Sequence, residues 1–252
     1  DLAEGDAQTR LAEAIFMASR VNAEDPVASW KTHNQRLKEK REWLNQKDFK
    51  EIHFKGPGTD LKVGLADDHE WMGGASMAQN GVICNPNIPS EEVFTTPHAL
   101  RVEGYVSSTK PLSHQGTLID NIRVVFEKGS ITDAKASKGE TVLKKVLESD
   151  EGARRLGEVA LVPNSSPISN SGLLFYNTLF DENAACHIAL GQCYSKCFRG
   201  EKNLSASEIS ERGGNSSMIH IDWMIGSGEI DIDGFGKNGE IVPIFRKGEW
   251  VD

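Results

Sequence analysis

Long hydrophobic runs are missing from this sequence. Nowhere do enough apolar residues follow one another to cross a bilayer, and nothing at the start resembles a signal peptide. Cysteine is scarce too, with four in 252 residues. Cys84, Cys186, Cys193 and Cys197 do not follow the pattern of a small disulfide scaffold, and they read as reduced thiols of a cytoplasmic protein. Basic residues are outnumbered: 28 Lys and Arg stand against 37 Asp and Glu, for a net charge of -9. That balance argues against non-specific binding to nucleic acid or to an anionic membrane. There is no Gly-x-Gly-x-x-Gly, no phosphate-loop motif and no Gly-x-Ser-x-Gly, so nucleotide-binding and serine-hydrolase readings have no support. Repeats and low-complexity segments are lacking as well. An initiator Met is absent, and the chain runs from Asp1 almost directly into a helical pattern. This is the expectation for a fragment or a processed chain.

What is present is an ordinary globular mixture, 38% hydrophobic and 26% charged, long enough for one large domain or two small ones. Leu11, Ile15 and Ala18 recur at helical spacing over roughly the first twenty residues. Asp25-Pro26 then predicts an N-cap and a longer helix to about Gln46, with Val27, Trp30, Leu37 and Leu44 as its stripe. From residue 51 the period changes to alternation. Ile52 and Phe54, then Leu61, Val63 and Leu65, flank the turn Gly56-Pro57-Gly58. Further strands are expected at Val82–Cys84, Val102–Val106, Ile119–Phe126, Glu158–Val162, Ile219–Ile225, Ile230–Ile232 and Ile241–Phe245. Helices are expected from Gly139 to Arg155 and from Asp181 to Tyr194. Helices first, then mixed strands and helices, argue an α+β or irregular α/β fold, with a mixed and partly barrel-like sheet domain. The expected division is a helical segment, 1–50, packed on a catalytic domain, 51–252.

Four stretches carry candidate chemistry. On a strand, His220 and Asp222 share a face, which suits either a buried hydrogen-bonded pair or two ligands of a borderline divalent metal. Glu91 and Glu92 lie between Pro89 and Pro97, as an exposed acidic loop or as one metal ligand beside a free carboxylate. If the piece is extended, the two face opposite sides. Glu158 opens an otherwise apolar strand, where burial needs a salt bridge or a metal. Glu182 and His187 sit at the start of the expected second helix, with Tyr194 two turns on, on the same side.

Together, Asn-Ile-Pro-Ser-Glu-Glu-Val-Phe-Thr-Thr-Pro-His (87–98), Leu-Gly-Glu-Val-Ala-Leu-Val-Pro (156–163), Phe-Tyr-Asn-Thr-Leu-Phe-Asp-Glu-Asn-Ala-Ala-Cys-His-Ile-Ala-Leu-Gly (175–191) and His-Ile-Asp-Trp-Met-Ile-Gly (220–226) resemble the aminopeptidase T / aminopeptidase S family of dinuclear metalloaminopeptidases. The resemblance runs from about Pro26 to the last residue. It implies six metal ligands (Glu92, Glu158, Glu182, His187, His220 and Asp222), an active-site tyrosine at Tyr194, and a homodimer. It also implies that the chain is the family's C-terminal metal-binding domain, beginning after a further N-terminal domain.

Four carboxylates would balance the charge of two divalent ions, with Glu158 expected to bridge them. The activated water would attack the scissile carbonyl of a peptide with a free N-terminus. Glu91 is expected to carry the proton to the leaving amine. Tyr194 would donate to the developing oxyanion, a contribution of ~2–4 kcal/mol. Zinc, cobalt and manganese all suit such a ligand set. The competing readings are another dinuclear metallohydrolase, such as an amidase, and a non-catalytic metal-binding fragment lacking part of its cleft.

Overall fold

The computed structural model describes residues 4–200 and 204–251. Residues 1–3, at the front of the first expected helix, lie outside the described residues. Two helices come first, α1 (Glu4–Ala18) and α2 (Pro26–Lys47). The second starts where the sequence predicts: the Asp25 carboxylate accepts from the Ala28 N–H, and Pro26 sits in the first turn. The expected stripes are only partly buried. Ala18, Leu37 and Leu44 are covered, whereas Leu11 and Val27 are exposed. α1 meets the body through small residues, with Ala18 packed against Ile168 and Ala184, so its larger apolar side chains are left outside.

β1 (Glu51–Gly56) and β2 (Thr59–Leu65) form the hairpin that the Gly-Pro-Gly turn predicts, with Phe54 opposite Leu61 and Ile52 opposite Val63. β3 (Ser76–Met77) and β4 (Ile83–Cys84) make a small exposed ribbon. Next come β5 (Val93–Thr95), the long β6 (Pro97–Ser107), a second ribbon of β7 (Leu112–His114) and β8 (Thr117–Ile119), and then β9 (Arg123–Glu127) and β10 (Ser130–Lys135). α3 (Glu140–Leu147) leads to β11 (Leu156–Leu161). The short helices α4 (Pro167–Ser171) and α5 (Thr178–Asp181) precede β12 (His187–Gly191). α6 (Ala206–Glu211), β13 (His220–Met224), β14 (Asp231–Phe235), β15 (Ile241–Arg246) and β16 (Glu249–Trp250) complete the order.

Two open antiparallel sheets result. The larger runs β10-β9-β6-β2-β1-β14-β15-β16 and the smaller β13-β12-β11-β5. Neither closes into a barrel among the described residues. The fold is α+β, as expected. One core joins the two sheets, with Phe54, Phe126 and Phe245 from the larger and Trp223 from the smaller, and Leu44 and Trp71 beside them.

Two expected helices differ. The helix expected over Gly139 to Arg155 ends at Leu147, followed by a 3-10 turn at Glu151–Arg154. Asp150, between them, is held in extended backbone while its carboxylate accepts from the Ser217 hydroxyl and the Met218 N–H. The helix expected over Asp181 to Tyr194 is instead a 3-10 turn, Glu182–Ala184, and then β12. Ala and Leu are compatible with either state. Here β11 and β13 take up the backbone groups on both sides, and that pairing overrides helix propensity.

Candidate metal centre

The register of the smaller sheet decides which side chains meet. Glu158 on β11 lies opposite Ala189 on β12, and Ala189 opposite Asp222 on β13. Along the same face run Ala160 opposite His187, and Gly191 opposite His220. Successive strand residues alternate in facing, so Val159, Ile188 and Trp223 point the other way, and all three are buried in the core. One face of this sheet is thus apolar and locked into the protein. The other gathers two carboxylates and two imidazoles around a floor of Ala160, Ala189 and Gly191.

Glu92 joins them from just before β5, two residues ahead of Phe94, which sits opposite Ala160. Its backbone is held close by Gly73, where φ is +146° and an added Cβ would lie 2.5 Å from the Glu92 carbonyl oxygen. Two overlapping groups of ligand atoms form, each with its atoms within 4.8 Å of one another. One is Glu92, Glu158 and His187; the other is Glu158, His220 and Asp222. Glu158 is common to both. His187 Nε2 lies 3.1 Å from Glu92, and His220 Nε2 lies 3.4 Å from Glu158 and 3.5 Å from Asp222. The other ring nitrogens are tied back to the main chain. Nδ1–H of His187 donates to the Ala185 carbonyl and Nδ1–H of His220 to the Gln192 carbonyl. This fixes the tautomer that presents Nε2 as a ligand atom.

Electrostatics match the geometry. Burial pushes the Glu158 carboxyl up, and the neighbouring Glu92 and Asp222 charges push the same way against the hydrogen bond from His220. Glu182 is raised by burial and by Asp222, Glu92 and Glu158. Burial alone would lower both imidazoles. The hydrogen bond that His187 donates to Glu92, and those that His220 donates to Asp222 and Glu158, outweigh it and raise both. So many acids in one buried place need cations, and without metal the imidazoles supply them as protons. Carboxylate oxygens and imidazole nitrogens in two overlapping groups fit divalent metal.

The groups lie in a cavity of about 150 Å³ whose walls also carry Glu182, Tyr194, Phe94, Lys196 and Arg41. Roughly ten water-sized spheres fit that space, room for two ions and the front end of a small ligand. Glu182 faces the cavity from its 3-10 turn but stands outside both groups. Tyr194 follows β12 rather than lying on a helix, yet its ring still packs 4.7 Å from that of His220. Its phenol is raised by burial and by Glu158, so it remains a proton-bearing donor.

Glu91 is the residue that the structure moves away from its expected part. It is 4% exposed, does not line the cavity, and accepts from both terminal nitrogens of Arg20 at 2.5 and 2.9 Å. His33 lies 3.6 Å away on the same side. Period-two alternation sends it opposite Glu92, toward Arg20 and His33; with its N–H on the Asn183 side chain it holds the Glu92 backbone in place. Sequence reading missed the anchoring carbonyls of Ala185 and Gln192 and the floor residue Ala189. Backbone acceptors leave no side-chain signal, and Ala189 stood in a segment read as helix.

Known proteins share this arrangement of sequence. The chain is 54% identical over 250 residues to aminopeptidase T of Thermus aquaticus, covering 99% of this chain and 61% of that protein. It is 48% identical over 248 residues to aminopeptidase AmpS of Bacillus subtilis, covering 98% of this chain and 60% of that one. The solved structure of wild-type AmpT from Thermus thermophilus superposes with a TM-score of 0.93 at 51% identity, over 100% of this chain and 60% of that one. The chain therefore spans about three-fifths of the length of the relatives it matches. With a family match extending over residues 1–250, the chain belongs to the thermophilic metalloprotease (M29) family.

Proposed function

We propose that this chain carries the catalytic centre of a metal-dependent aminopeptidase, which removes the first residue of peptides with a free N-terminus. The observation that carries the reading is the pair of overlapping ligand groups sharing Glu158, in a chain about half identical to named aminopeptidases. Glu92, Glu158, His187, His220 and Asp222 would hold two divalent ions, with Glu182 as the sixth ligand from the adjoining turn. When bound, such a pair supplies Lewis acidity, polarising the scissile carbonyl and acidifying water to a nucleophile at neutral pH. Tyr194 donates its hydroxyl proton as a hydrogen bond toward the oxygen on which charge develops. The buried strands β11 and β12 keep bulk water from the far side of the ligands, so the charges act at low dielectric. Glu91 serves by position alone.

The reading extends to zinc, cobalt or manganese as the metal and to a cytoplasmic homodimer. Residues 51–252 are its metal-binding domain, and the helical segment 1–50 packs on them. No helix among the described residues is long and apolar enough to cross a membrane. Cys186, Cys193 and Cys197 are buried free thiols, which suits a reducing compartment. The test is metal content per chain, with release of N-terminal residues followed before and after chelation and re-addition of each metal. Restored cleavage of free but not N-acetylated peptides is expected. Equal cleavage of both would point to an amidase, and no bound metal would end the reading.

A further inference from the structure

Two cations stand among the acids of the metal cavity. Arg41 reaches it from α2 and Lys196 from the 3-10 turn Ser195–Cys197 that follows β12. Among the described residues neither has a carboxylate within ion-pair distance. Arg41 spends one N–H on the Gly73 carbonyl at 3.3 Å. The Lys196 ammonium lies over two rings of the cavity wall, 4.9 Å from Phe94 and 5.0 Å from Tyr194. Those contacts hold a charge that otherwise favours bulk water against the cavity rim.

The charge count gives this pair a meaning. Glu92, Glu158, Glu182 and Asp222 match two divalent ions, so in the metal-loaded protein Arg41 and Lys196 are in surplus. A ligand that completes the cavity therefore brings negative charge at its outer end. A peptide whose amino end lies at the metals has such a charge at its carboxyl terminus, about 7 Å away when it is two residues long. The Tyr194 ring contacts both groups, with the Lys196 ammonium 5.0 Å and the His220 ring 4.7 Å from its centre. We propose that Lys196, assisted by Arg41, forms a carboxylate subsite at the cavity rim that takes the C-terminal carboxylate of dipeptides.

This inference rests on the aminopeptidase reading, and its test keeps the two apart. Hydrolysis of Leu-Ala, of Leu-Ala amide and of Leu-Asp amide is compared in the metal-loaded chain and in its Lys196→Met and Arg41→Met variants. The free acid should exceed its amide in kcat/KM by about five- to tenfold, mainly through KM. In Lys196→Met the ratio should fall toward one. A ratio near one in the unaltered chain, or one that Lys196→Met leaves alone, overturns the subsite. Leu-Asp amide doing as well as Leu-Ala assigns it to an acidic side chain and overturns the terminal carboxylate. If nothing is cleaved, the aminopeptidase reading is what fails. The subsite is then decided by calorimetry with an uncleavable reduced-bond dipeptide, as acid and as amide. The same preference for the acid, lost in Lys196→Met, is expected, and equal binding overturns the proposal.

Discussion

His69 is 3% exposed, donates Nδ1–H to the Ala66 carbonyl, and has no partner at Nε2 among the described residues. Burial holds its imidazole down, to about 4, well below the usual histidine range. A group whose folded pKa is depressed contributes stability above its unfolded pKa and loses it as pH falls toward the folded value. His69 should therefore cost the protein roughly 3 kcal/mol of stability between about pH 6.5 and pH 4. Denaturant unfolding at several pH values, in the unaltered chain and in His69→Gln, checks this: the variant should show a flatter acid limb. An equal slope would sink the argument. Glu91 and Glu92 are adjacent in the chain and differ in what they meet. Composition gives two equivalent acids, and only strand parity tells the one facing the cavity from the one paired with Arg20.

At the scale of elements, β12 is where the site is most exposed to a single change. Ala189 is fully buried between Glu158 and Asp222 and shares their face of the sheet. Ala189→Val should keep the sheet, since valine favours strands, and should weaken metal binding at least tenfold by filling that floor. Circular dichroism together with metal titration would read both halves, and unchanged affinity would show that the floor has slack. The same strand marks the limit of what the sequence discloses. The β1–β2 hairpin, the Asp25 cap and the His220 strand were legible because alternation, turn residues and capping chemistry are local. β12 was not. It is buried throughout and shows no alternation, and its state is set by β11 and β13 from elsewhere in the chain. The ligands were legible through family motifs and through buried acids in apolar company. Their convergence comes from register, which motif spacing does not contain.

For the whole molecule, metal and fold are linked. Six acidic and imidazole groups gathered from β5 to β13 repel or bind protons when no cation is present, so a divalent ion stabilises the folded chain by mass action. At a hundredfold excess of metal over its dissociation constant the gain is about 2.7 kcal/mol. For a chain of this size that corresponds to a rise of roughly 5–10 °C in Tm. Glu158, His187 and His220 hold protons above the usual carboxylate and imidazole ranges, and those protons must leave when metal enters. The rise should therefore shrink as pH is lowered from about 8 to about 6. Melting curves with and without chelator at the two pH values decide it, and a pH-independent shift would contradict the linkage.

Both imidazoles are tied to carbonyls that flank one five-residue strand, Ala185 just ahead of β12 and Gln192 just after it. That strand is the ruler on which the spacing of the two halves of the centre is marked. An insertion or deletion of one residue within it would swap inside for outside along its length and knock both histidines out of step at once. Lengthening the loops beyond its ends need disturb neither.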